Sequence, residues 1–323
     1  MIDEDIRSFI KSTVPYPLLS CEPLTGGANN RVYKLNFSDR NSLILKRYFQ
    51  HPQDLRKRLF SEYSFLQYAW NIGLRCIPQP LYSDEKANAA IYSFIIGKPV
   101  EKMHISDLLI QQTINFFLAL NNSNDQGKTL PIASEACFSI DEHLRTIEKR
   151  VKTLLSCEHP TVIEFLQHQL LPAWEKIRKT IEQTADCPLF EQEQCISPSD
   201  FGFHNALLQE NNQLAFIDFE YAGWDDPAKT VCDFFCQPRI PVSRSFFHTT
   251  SHQFVSFCSH PENVLQRINL LFPAYRIKWC CIILNCFLPI GQTRRCFARL
   301  DEQNEEQLKK AKEMLAEDFS WRT

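Results

Sequence analysis

The sequence predicts an α+β protein of two lobes: a small N-terminal antiparallel sheet with one helix, and a larger, mostly helical C-terminal part. Three observations carry that prediction. Strand-length apolar runs separated by polar turns crowd the N-terminal part, and helical periodicity dominates after Gly97-Lys98-Pro99. Between residues 195 and 219 the helices are interrupted by a hairpin-like block rich in carboxylate and carboxamide side chains. A chain of 323 residues suffices for one large domain or two lobes with sizeable cores.

Taken in order, residues 2–12 read as a short amphipathic helix. Strand-like segments follow at 18–24, 31–37 and 43–49. The turn Thr25-Gly26-Gly27-Ala28-Asn29-Asn30 joins the first two, and its backbone amides can face an anion. Glycine is scarce, 8 in all, so two in succession here stand out. The third strand ends Leu43-Ile44-Leu45-Lys46-Arg47-Tyr48. A helix over 52–71 follows, with Leu55, Leu59, Tyr63, Leu66 and Trp70 at helical spacing and Glu62 beside that stripe. Strands at 79–83 and 89–94 complete a five-stranded sheet. Gly97-Lys98-Pro99 then reads as a hinge, dividing a lobe of residues 1–96 from one of 97–323. Helices are expected at 106–121, 141–155, 161–183 and 227–235, with a charged one at 305–317. The most apolar window, 280–284, is bounded by Arg276, Lys278 and Asn285 and reads as a buried helix, short of the ~18 residues a membrane span needs.

The chemistry concentrates in Ser199-Asp200-Phe201-Gly202-Phe203-His204-Asn205 and, after a turn at Glu210-Asn211-Asn212, in Phe216-Ile217-Asp218-Phe219-Glu220. Paired strands lie about 4.8 Å apart, so a hairpin here returns Asp218 to the neighbourhood of Asn205. Asp200 then sits at the same mouth. An Asp and an Asn spaced this way recur in many loops. The apolar run Leu214–Ala215–Phe216–Ile217 before Asp218 adds weight, because a carboxylate ending a buried strand needs a partner or a metal. Oxygen donors of this kind suit magnesium carrying substrate phosphates better than zinc or copper.

Bulk properties exclude other classes. A net charge of −3 argues against a general nucleic-acid binder. No N-terminal stretch has the order of a signal peptide, and the chain is expected to be cytoplasmic, with no membrane partner. The 13 cysteines form no C-x-x-C pair and read as buried thiols; the 9 histidines show no metal-binding spacing.

The order of these elements resembles the protein-kinase-like fold of the aminoglycoside phosphotransferase and choline kinase superfamily, from about Leu24 to Asp233. The resemblance implies that Gly26, Gly27, Asn29 and Asn30 belong to a phosphate-covering loop. It makes Lys46 the lysine that contacts the α and β phosphates, and Glu62 its pairing carboxylate. The hinge meeting adenine would be Ser93-Phe94-Ile95. Asp200 would face the acceptor hydroxyl as the catalytic residue, Asn205 and Asp218 would bind Mg2+, and Asp233 would brace the catalytic loop. His204 reads as a loop residue supporting backbone geometry. The superfamily usually has His-Gly-Asp where this chain has Pro198-Ser199-Asp200; proline can hold that loop by fixing φ.

The function so implied is transfer of the γ-phosphoryl group of ATP or GTP to a hydroxyl of a small metabolite such as a sugar, amino alcohol or aminoglycoside. A catalytically inactive nucleotide-binding protein of the same fold is the alternative. For the acceptor, Trp224, Tyr275 and Trp279 with Glu220, Asp225 and Asp226 would suit a quaternary ammonium or a sugar. Arg239, Arg276 and Lys278 would suit an anionic sugar or acid. Asp225 and Asp226 also read as caps of the helix beginning at Pro227.

Overall fold

The computed structural model describes residues 4–24, 30–38, 41–52, 54–122, 127–184, 187–289, 291–293 and 304–316. Period-two patterning builds the N-terminal sheet. In β2 (Arg31–Phe37) every second side chain, Tyr33, Leu35 and Phe37, is buried. β1 (Leu18–Leu24), β3 (Leu43–Arg47), β4 (Pro80–Asp84) and β5 (Ala89–Ser93) join it in the order β1-β2-β3-β5-β4, with antiparallel neighbours throughout.

The two faces of this sheet have different covers. Leu35, Leu43, Leu45 and Ile91 pack under Ile6, Phe9 and Ile10 of helix α1 (Glu4–Thr13). The opposite face offers Ile44, Ala90 and Tyr92 to Phe65, Leu66 and Ala69 of helix α2 (Arg58–Asn71). Strand alternation puts Lys46 on that second face, which continues into the C-terminal core. Its position is thus a consequence of register.

Two N-terminal expectations change. The helix expected from residue 52 begins at Arg58, and Leu55 is exposed rather than part of its apolar stripe. The preceding segment is held instead by Arg58, which turns back to Asp54 (2.7 Å) and to the carbonyl of Phe49 (3.3 Å). Lys98–Pro99, expected as a hinge, forms β6 against β8 (Ala206–Leu208), which pairs in turn with β9 (Leu214–Phe216). A side chain at Gly97 would meet Leu207 Cβ at 3.0 Å, a tight approach that glycine allows without any shift of β8.

The C-terminal part is mostly helical. α3 (Asp107–Asn121) and α4 (Ile140–Leu154) precede α5 (Pro160–Phe165) and α6 (Leu171–Glu182). Residues 161–183 were expected as one helix; a π turn at Leu166–Leu170 separates the last two. Pro172 explains it, since it lacks an N–H and its ring clashes with the carbonyl four residues earlier unless the turn widens. β7 (Cys195–Ser197) pairs with β10 (Gly223–Asp225), followed by α7 (Pro227–Cys236), α8 (Phe247–Phe254), α9 (Pro261–Ile283) and α10 (Asn304–Ala316). The central helix α9 packs on α4, α6, α7, α8 and α10. With the turn that extends it to Phe287 it is long and apolar enough to cross a membrane, yet its apolar window is 78% buried inside the protein. It is a core helix. The described cysteines carry free thiols, most of them buried.

Candidate active site

Lys46 lies buried between the sheet and α2. Its Nζ contacts Glu62 Oε2 at 2.6 Å and Asp218 Oδ1 at 2.5 Å. Burial would lower the pKa of this amine, but the carboxylates of Asp218, Glu62 and Glu220 reverse that and hold it well above the usual lysine range. Glu62 is pushed up by burial, and its pairing with Lys46 offsets only part of the rise. Further bonds fix Glu62: Tyr48 Oη donates to Oε2 (2.8 Å) and the Phe219 amide to Oε1 (3.2 Å). One carboxylate thereby links α2, β3 and the segment following β9.

The hairpin of β8 and β9 turns at Asn212, in left-handed conformation at φ 58°, with Gln209 N–H donating to Gln213 O at 2.9 Å. On its open side Ile217 N–H donates to Asn205 O at 2.9 Å, which brings Asp218 beside Asn205. Asp218 is also left-handed, at φ 69°, a conformation tolerated by aspartate that re-aims the carboxylate out of the strand. Asn205 Nδ2 donates to Asp200 O at 2.8 Å, which turns Oδ1 into the oxygen available to a metal. One Asp and one Asn oxygen form an incomplete shell, suited to a cation whose other ligands are phosphate oxygens and water. Among the described residues no group of three His, Cys, Asp or Glu side chains could hold a metal by itself. The donor set therefore fits Mg2+ brought with a nucleotide.

Asp200 sits at the same mouth, partly exposed, with Oδ1 at 3.1 Å from His204 Nε2. Burial acts to raise its pKa, but the neighbouring His204 and the Asn205 bond outweigh that and hold it below the usual carboxylate value. His204, expected only to support backbone geometry, touches the carboxylate itself. Its place four residues after Asp200, in the same short loop, was the available sequence signal. The loop is braced by Ser197, whose Oγ accepts from Ser199 N–H (3.0 Å) and Thr230 Oγ1 (2.8 Å). Asp233, expected as the brace, instead accepts from Lys278 Nζ (2.9 Å to each oxygen) and Trp279 Nε1 (2.7 Å). A buried lysine close by claims its charge.

The remaining residues divide. Gly26, Gly27 and Asn29 lie outside the described residues. Asn30 is buried, donating to Glu220 Oε2 (2.5 Å) and accepting from Phe49 N–H (3.1 Å), so its side chain is spent tying the loop end to the site floor. Ser93 closes β5 by exchanging bonds with Gln79 (2.8 and 3.0 Å); Phe94 and Ile95 continue half-buried into the connection between the sheet and the helical part.

The expected acceptor groups are mostly occupied. Asp225 pairs with Lys229; Asp226 caps α7 through Ala228 N–H (2.7 Å) and also binds Arg267 and His143. Glu220 faces Arg58 at 3.5 Å, Trp224 donates to Gly127 O at 3.0 Å, and Tyr275 reaches His143 at 2.7 Å.

Sheet, buried lysine–glutamate pair and paired loops are those of a kinase-like phosphotransferase. The profile of the phosphotransferase enzyme family matches residues 20–235. That is more than half of the chain, which belongs to this family. It is a transferase and kinase acting on hydroxyl acceptors of small molecules. Solved structures share the fold. An aminoglycoside phosphotransferase APH(2'')-IIa in complex with gentamicin is 16% identical with TM-score 0.64, covering 99% of this chain and 97% of that one. Choline kinase LicA from Streptococcus pneumoniae is 15% identical with TM-score 0.60, covering 97% and 98%. A choline kinase from Cryptosporidium parvum Iowa II is 13% identical with TM-score 0.59, covering 97% and 96%. A search of curated protein sequences gives no significant match.

Proposed function

We infer that the protein transfers the γ-phosphoryl group of ATP or GTP to a hydroxyl of a small metabolite, in the cleft between the sheet lobe (residues 1–96) and the helical lobe (97–323). The observation that carries this reading is the meeting of Lys46, Glu62 and Asp218 at 2.5–2.6 Å, with Asn205 held beside Asp218 by the Ile217–Asn205 bond. Lys46, kept cationic by its carboxylate neighbours, binds the α and β phosphates. Asn205 and Asp218 would hold Mg2+, which when bound neutralises phosphate charge. Asp200 orients the acceptor hydroxyl. The hydroxyl oxygen bonds to the γ-phosphorus, the bond from that phosphorus to the β–γ bridging oxygen breaks, and the nucleoside diphosphate leaves with the electron pair. The hydroxyl proton passes to the Asp200 carboxylate, which His204 holds in orientation. Asp200 stays ionised at neutral pH because its pKa lies below the ordinary value.

Likeness in fold to choline kinases and aminoglycoside phosphotransferases supports a sugar, amino alcohol or aminoglycoside as acceptor class. The test is Asp200→Asn in an assay of acceptor-dependent nucleoside diphosphate release. Turnover is expected to fall by about 10²–10⁴-fold with magnesium–nucleotide affinity retained. Full turnover in that variant would contradict the role.

A further inference from the structure

Two buried tyrosines, Tyr48 and Tyr92, meet the Lys46–Glu62 pair, and the reaction above makes no use of their hydroxyls. Register brings them together. Across β3 and β5, Ile44 faces Tyr92 and Lys46 faces Ala90. Tyr48 follows Lys46 by two residues, and its N–H donates to Asn88 O at 3.0 Å, which carries the pairing one step past the end of β3. The period of two thus sets Tyr48, Lys46 and Tyr92 on one face, with only the methyl group of Ala90 placed between the two tyrosines. The phenols reach across it, their Oη atoms 2.6 Å apart.

A phenol has a single hydrogen to give. Tyr48 donates its hydrogen to Glu62 Oε2 at 2.8 Å, so the hydrogen of the Tyr48–Tyr92 contact comes from Tyr92. The donors therefore run from Tyr92 to Tyr48 to Glu62, and end on the same oxygen that Lys46 contacts at 2.6 Å. Burial pushes both phenols well above their ordinary pKa, so each keeps its hydrogen. Two phenylalanines would fill this space without burying any hydroxyl, a group that costs free energy unless it is bonded. Lys46 Nζ also lies 5.3 Å from the centroid of the Tyr48 ring. Without the Tyr48 hydroxyl, Oε2 would be oriented by Lys46, which Asp218 also holds at 2.5 Å. Asp218 is the carboxylate assigned above to Mg2+. Charge that it gives to a metal is withdrawn from the ammonium, and Glu62 then becomes the anchor of Lys46.

We propose that Tyr48 and Tyr92 are positioning residues for nucleotide binding: their linked hydroxyls fix Glu62 Oε2, and Glu62 so fixed aims Lys46 at the phosphates. This rests on the phosphotransfer reading above. Tyr48 acts on the carboxylate directly, and Tyr92 acts by orienting the Tyr48 hydroxyl.

The test is a calorimetric titration of ATP with Mg2+ on the wild type, Tyr48→Phe, Glu62→Met and the double variant. Phenylalanine keeps the ring beside Lys46 and removes the hydroxyl; methionine keeps the bulk of Glu62 and removes its oxygens. Tyr48→Phe is expected to weaken binding about tenfold in the wild-type background. In the Glu62→Met background the same substitution is expected to change affinity less than about twofold, since the group it acts through is gone. Tyr92→Phe, measured in the wild-type background alone, is expected to weaken binding about threefold although its hydroxyl bonds to Tyr48 and not to Lys46. Unchanged affinity in Tyr48→Phe or in Tyr92→Phe would overturn the proposal. So would equal weakening by Tyr48→Phe in both backgrounds, which marks a general loss of structure rather than action through Glu62. Absence of magnesium-dependent nucleotide binding in the wild type would overturn the phosphotransfer reading as well.

Discussion

Lys46 has two carboxylates within 2.6 Å and a third, Glu220, felt through space. This crowding keeps a buried amine charged where burial alone would favour the neutral form. Replacing it with methionine removes the only group in that cluster able to meet phosphate oxygens and leaves Glu62 and Asp218 facing each other. Lys46→Met is expected to lower turnover by about 10²–10³-fold, measured as acceptor-dependent release of diphosphate. In the proposed reaction His204 holds the Asp200 carboxylate, so His204→Ala is expected to lower kcat while nucleotide affinity stays unchanged in a binding titration. The approach of Asp218 to Asn205 was legible from the hairpin spacing, whereas the pairing of Lys46 with Glu62 was expected only through the family resemblance, and the contact of His204 with Asp200 was not foreseen. Asn30 was legible only in place, since nothing local announces that Glu220, far along the chain, will take its amide.

Among the elements, α7 shows what such windows cannot reveal. Its cap was readable from Asp226 and Pro227 side by side. That the same Asp226 would also bind Arg267 of α9 and His143 of α4 was not, because those partners lie 41 and 83 residues away. For the same reason, acids proposed for an acceptor are buried structural anchors. Asp226→Asn strips the countercharge from a buried guanidinium and is expected to destabilise the fold by about 3–5 kcal/mol, measured by urea unfolding. His143 adds a pH dependence. Burial opposes its charged form, but the Asp226 bond outweighs that and lifts its pKa from 6.5 to about 9. A raised folded-state value stabilises most fully below 6.5 and is lost as pH climbs through about 9. The melting temperature should therefore fall across that interval, and less steeply in His143→Gln. β10 depends on backbone proximity instead: a side chain at Gly223 would meet Pro131 O at 2.2 Å and Ala133 N at 2.7 Å. Gly223→Ala is expected to cost about 1–3 kcal/mol by the same unfolding measurement.

For the whole molecule, one face of the N-terminal sheet and the C-terminal helices share a continuous apolar cluster, while α1 seals the opposite face separately. The five strands and the helical content were readable from periodicity; the strand order β1-β2-β3-β5-β4 was not. β6 and the wrap of five helices around α9 arise from contacts between distant segments that no local pattern encodes, whereas the π turn follows from Pro172 in its own segment. The site is built across this joint: Lys46 and Glu62 come from the sheet side, and Asp200, Asn205 and Asp218 from the paired loops beneath. A ligand touching both groups should stabilise the molecule as a unit, by about 2.7 kcal/mol at a hundredfold excess over Kd. The most direct measurement is a calorimetric titration of ATP with and without Mg2+, on the wild type and on Asp218→Asn. The account predicts binding that strengthens with Mg2+ in the wild type and loses that dependence in the variant. Equal affinity with and without the metal, or a variant with the same metal response as the wild type, would contradict it.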